Sequence, residues 1–60
     1  MKIDRIELFH VAMKAEKTAS EFYLREAERS QDEAGSIILR YLGKVELGHY
    51  HMLETECDLV

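Results

Sequence analysis

Ser30 to Gly35, reading SQDEAG, is the stretch of this chain that reads as a turn, and it decides the fold. It is short and polar, and on each side lies a segment rich in Ala, Leu, Glu, Lys and Arg without a proline, a composition that favours helix. Working back from the turn, helix one is expected over about 4–29. It opens at Asp4, an N-cap type followed three residues later by Glu7. Working forward, Ser30-x-x-Glu33 and Asp32 supply start signals for helix two, expected over about 33–56, with acids where a helix N-terminus favours negative charge. Each helix would be roughly 35 Å long at 1.5 Å per residue, and a connection at about 30–35 forces the two to run antiparallel. Residues 1–60 are therefore expected to form a single all-α unit, an antiparallel two-helix hairpin.

Sixty residues make about half a typical domain, and a core this small needs a metal, disulfides or oligomerisation to support it. Cys57 is the sole cysteine, which excludes an intramolecular disulfide framework and a cysteine-rich zinc or rubredoxin-type iron site within one chain. A lone thiol suits a reducing compartment. The net charge of -4 and the absence of a Lys/Arg cluster argue against nucleic acid. No apolar run approaches the ~20 residues needed to cross a bilayer, and no signal-peptide pattern opens the chain, so a soluble cytoplasmic protein is the expectation.

Alternating steps of three and four residues trace one stripe on each helix. On helix one it is Ile6, Phe9, Met13, Glu16, Ser20, Tyr23 and Ala27; on helix two it is Leu39, Leu42, Glu46, His49, Leu53 and Glu56. Ile38, Val45, Met52 and Leu59 form a second apolar row on helix two, while Lys44, His51 and Asp58 turn outward. Helix one turns Glu7, Lys14, Glu21 and Glu28 to water. Helix two is thus apolar over more arc than one partner helix can cover, which calls for a second copy.

Both stripes carry ionisable residues at mid-helix. Counted from the turn, Glu16, Glu46 and His49 fall at one level, with Glu46 and His49 an i, i+3 pair on one face. Burying such carboxylates without a partner costs several kcal/mol, a penalty that a bound cation removes. One chain offers three ligands; two chains related by a two-fold axis offer four Glu and two His. That set is the one used by di-iron and di-manganese carboxylate bundles. Hard carboxylates with one imidazole per metal favour iron or manganese over a thiolate-type metal, with zinc also open on ligand type.

The segments AEKTASEFYLREAE (Ala15–Glu28) and YLGKVELGHYHMLE (Tyr41–Glu54) resemble the two ligand helices of the rubrerythrin-like branch of the ferritin-like superfamily. The likeness spans nearly the whole chain but only half of the usual four-helix domain. It implies either a piece of a longer protein or a homodimer, or a ring of dimers, that closes a ferritin-like bundle around two iron ions per dimer bound by Glu16, Glu46 and His49. It further implies an oxidoreductase, with Fe(II) oxidised by dioxygen or peroxide as in a ferroxidase or a rubrerythrin-like peroxidase. No rubredoxin-like Cys-x-x-Cys module is present, so an external electron donor would be needed. An encapsulin shell is a further partner that the resemblance admits.

Duller explanations stand beside each of these. A Glu-x-x-His on a helix is most often solvent-exposed, Glu16 could be a register-setting polar residue, and Tyr23 either a hydrogen-bond partner of a ligand carboxylate or a packed core residue. His10 and His51 read as surface histidines, Met13 and Met52 as core filler, and Gly43 and Gly48 as points of close helix approach. A non-catalytic helical dimerisation module, or metal storage without turnover, are the alternative functions.

Overall fold

The computed structural model describes residues 3–59, which form the expected antiparallel hairpin of helices α1 (Arg5–Arg29) and α2 (Glu33–Asp58). Asp4 caps α1: its Oδ1 accepts the Glu7 backbone N–H at 2.8 Å, and that bond holds the Asp4 carboxyl below its ordinary range. At the other end the Ser30 N–H donates to the Glu26 carbonyl at 3.0 Å. Ser30 therefore ends α1 rather than starting α2. Its hydroxyl donates to the Asp32 carbonyl at 3.1 Å and accepts the Asp32 N–H at 3.3 Å, folding the connection on itself. Asp32 is the N-cap of α2, with Oδ2 accepting the Gly35 N–H at 3.1 Å. Replacing Asp32 by alanine leaves that donor unmet and should cost about 1 kcal/mol, measured as a shift in the urea midpoint. Without a Gly or Pro beyond Glu54, α2 runs to Asp58, two residues past the expected end.

The helices meet through small groups. The Ser20 hydroxyl donates to the Gly43 carbonyl at 2.9 Å and the Ser36 hydroxyl to the Ala27 carbonyl at 3.0 Å. A step back along α1 is matched by a step forward along α2, so the helices are antiparallel. Ser20 is 2% exposed and Ala27 3%; with Gly43 they are the buried residues among those described, and no large side chain is fully buried.

This contact corrects the reading of α2. The closest approach to α1 is at Ser36 and Gly43, whose lack of bulk permits it, and Tyr50 continues that heptad row half-buried. Leu39, Leu42, Glu46 and Leu53 flank that row half-buried, while His49 and Glu56 are exposed. Gly43 is a point of close approach, since a Cβ there would lie 2.6 Å from Leu24 Cδ2. Gly48 is not, for a Cβ there would meet nothing within 4 Å. Met52 is exposed rather than core, and Ile6 is 41% exposed.

What the hairpin leaves open is largely apolar. Its accessible surface is 4873 Å², against about 4000 Å² for an average folded protein of 7.0 kDa. The excess is about 800 Å², the share one partner buries in a standard protein interface. Leu8, Val11, Phe22, Ile38, Tyr41 and Met52 are among the large apolar residues exposed. No helix of the described residues is long and apolar enough to cross a membrane.

Candidate metal centre

Glu16 lies near the middle of α1, and Glu46 and His49 lie one turn apart on α2; the antiparallel register brings all three to one level. His49 Nδ1 is 3.2 Å from Glu16 Oε2 and 3.7 Å from Glu46 Oε1. One ligand atom from each residue falls within 4.8 Å of the others, the spacing from which a single cation can be held. The structure thus brings together the three residues picked out from the sequence.

Their side chains do not lie inside the hairpin. Glu16 and Glu46 are about one quarter exposed, at 27% and 25%, and His49 is 50% exposed, so the cluster opens on one edge of the interhelical seam. The desolvation penalty argued from the stripes is therefore small in a single hairpin; it arises only when something covers this edge. By helical spacing Leu42, Val45, Met52 and Leu53 share that edge with His49. One turn from the cluster toward the open end, Leu8, Phe9, Ala12 and Leu53 line a groove of about 240 Å³. The ligands are thus set in an apolar surroundings that is itself uncovered.

The electrostatics fit a cation. A hydrogen bond with Glu16 raises the Glu46 carboxyl above its ordinary value of 4.5, with desolvation and the Glu16 charge adding to the rise and His49 opposing it. The nearby Glu16 carboxyl thus favours the protonated form of Glu46. Because the folded value is the higher one, the metal-free fold binds more protons than the unfolded chain just above pH 4.5. Stability from this group is fully present below that value and is lost as pH rises through the folded one. Glu46→Gln should flatten that part of the pH–stability profile, followed by circular dichroism melts of metal-free protein; an unchanged profile would count against the raised Glu46 carboxyl.

Other residues fall where ordinary surface chemistry puts them. His51 pairs loosely with Glu54 at 3.6 Å on the solvent side, His10 is exposed, and Cys57 is a half-buried free thiol. Tyr23 makes an edge contact with the Phe22 ring at 5.7 Å and lines a groove of about 640 Å³ with Val11, Ala15 and Ala19. Among the described residues no hydrogen bond joins Tyr23 to the cluster, and its half-buried ring lines a surface groove rather than a core.

Tyr50 was not singled out from the sequence. It is half-buried at the seam with the Lys17 ammonium 5.8 Å from its ring centre, on the far side of the seam from the ligands. Its signal was available: Ser36, Gly43 and Tyr50 repeat at heptad spacing, but two of the three are not apolar. An exposed cation–π contact of this kind contributes about 0.5–1 kcal/mol.

No family model, no curated protein and no solved structure matches the chain.

Proposed function

We propose that this chain is one half of a di-metal carboxylate protein, in which two copies pair across the edge bearing Glu16, Glu46 and His49. The observation that carries the reading is the meeting of three ligand atoms within 4.8 Å at the centre of an uncovered apolar edge. A surface ion pair needs no such setting, and a plain dimer contact gains nothing from two crowded carboxylates, which cost free energy when covered. Pairing would supply four carboxylates and two imidazoles, the donor set of two-metal carboxylate bundles.

In this reading Glu46 would hold metal through its carboxylate, His49 through an imidazole nitrogen, and Glu16 through its carboxylate from the facing helix. Carboxylate oxygens with one nitrogen per metal suit iron first, with manganese and zinc as competitors. Bound iron would supply two electrons, one from each Fe(II), for the reduction of dioxygen to peroxide or of peroxide to water. The three residues would hold the metals from one level of the two helices, with the Glu46 carboxyl binding in its ionised form. The apolar edge excludes water once a second copy covers it.

The likeness of Ala15–Glu28 and Tyr41–Glu54 to rubrerythrin-like ligand helices supports the same reading, as does a single free cysteine suited to a reducing cytoplasm. A ring of dimers, an external electron donor and an encapsulin shell belong to it as further partners. Native mass spectrometry of protein expressed with iron tests it directly: two chains carrying two metals are expected. Monomers, or dimers without metal even when Fe(II) is added anaerobically, would reject it. Metal storage without turnover would appear as binding that saturates and does not cycle with further Fe(II) and oxidant.

A further inference from the structure

The seam next to the candidate ligands contains a hydroxyl and a glycine whose arrangement has a consequence for the metal. Ser20 is one turn from Glu16 on α1, and Gly43 is three residues before Glu46 on α2. They are buried against each other, joined by the 2.9 Å bond from the Ser20 hydroxyl to the Gly43 carbonyl. A Cβ on Gly43 would stand 2.6 Å from Leu24 Cδ2 and 2.7 Å from Leu24 Cγ, closer than carbon atoms approach without displacement.

We propose that Ser20 and Gly43 are positioning residues for the metal centre, fixing the helix separation and register at which Glu16 can share a cation with Glu46 and His49. The proposal rests on the metal-centre reading above. Its basis is geometric. Glu16 reaches the cluster from one helix and the other two ligands from its neighbour, so the ligand spacing changes directly with the distance between α1 and α2. Metal sites tolerate about 0.5 Å of misplacement. Both seam residues are without side-chain bulk where bulk would separate the helices, and the hydroxyl ties a carbonyl of α2 to one height on α1. A role in helix stability alone makes the opposite prediction at Gly43, because alanine is the better helix former.

The test titrates Co(II) into the full chain and into Ser20→Ala, Gly43→Ala, Leu24→Ala and the double variant Gly43→Ala with Leu24→Ala. Circular dichroism is recorded alongside the Co(II) visible absorption. Gly43→Ala should keep or gain helix yet bind Co(II) about tenfold more weakly, with an altered absorption band. The double variant removes both clashing Leu24 atoms and should recover most of that affinity relative to Leu24→Ala alone. Ser20→Ala, which adds no bulk, should weaken binding several-fold at unchanged helix content. Wild-type affinity and spectrum in both Gly43→Ala and Ser20→Ala would overturn the positioning role while leaving the metal centre standing. Failure of the unmodified chain to bind Co(II) would overturn the centre itself, and the positioning role with it.

Discussion

Replacing Glu46 and His49 together by alanine is expected to abolish stoichiometric Fe(II) binding while leaving the two helices in place. The pair contributes two of the three ligands in each copy, and the remaining Glu16 carboxylates lack the imidazole that distinguishes this cluster from an ordinary acidic surface. Neither side chain is buried in the seam: Glu46 and His49 meet Glu16 on its open edge, and without them the hydroxyl–carbonyl bonds of Ser20 and Ser36 still join the helices. Where two copies meet, the substitution removes four ionisable groups from an apolar contact and relieves the crowding of Glu46 against Glu16. The double variant should therefore pair without metal at least as tightly as the metal-free parent. Anaerobic Fe(II) titration and sedimentation of the same sample read both effects. Retained binding at two irons per two chains would exclude these residues as ligands; loss of helix would assign them a structural role instead.

The second large effect is expected from chelation. Metal-loaded protein treated with a chelator should fall toward monomer and melt at a much lower temperature. A ligand at a free concentration one hundred times its Kd adds about 2.7 kcal/mol to the folded state. A folded chain of this length has a total stability of only roughly 3–9 kcal/mol. At about 4–8 °C per kcal/mol, the midpoint should drop by about 10 °C or more. Adding Fe(II) or Mn(II) back should restore it, and the Glu46→Ala, His49→Ala protein should respond to neither treatment. Superimposable melts with and without chelator would leave the non-catalytic dimerisation module as the better description.

The hairpin was legible from the sequence because its determinants are local. A polar six-residue interruption, two N-cap aspartates and a proline-free composition specify two helices and a short connection, and Asp4 and Asp32 cap as their chemistry requires. The level of Glu16, Glu46 and His49 was legible too, since counting from a short turn fixes height on antiparallel helices. Rotation about the helix axis was less so. The apolar stripe placed Leu42, His49 and Leu53 toward α1, whereas the two helices approach most closely where side chains are smallest, at Ser36 and Gly43. Hydrophobicity reports what avoids water, and on this hairpin much of that surface is turned away from the neighbouring helix. The same reason explains Met52, which is apolar and exposed. Gly48 shows a different limit, because a glycine that admits close approach and one that faces open space look alike in sequence.

The seam of Ser20, Ala27 and Gly43 also bears on how much of this protein a cell must make. Among the described residues, two buried or half-buried hydroxyl–carbonyl bonds, an open His49–Glu16 contact and no fully buried large side chain leave the hairpin little of its own to oppose opening. If a second copy supplies the missing core, folding becomes a second-order reaction, and each tenfold dilution removes about 1.4 kcal/mol from the assembled state. Abundance then acts as a folding variable: above a threshold concentration the chain is a closed bundle, and below it a pair of frayed helices open to proteolysis.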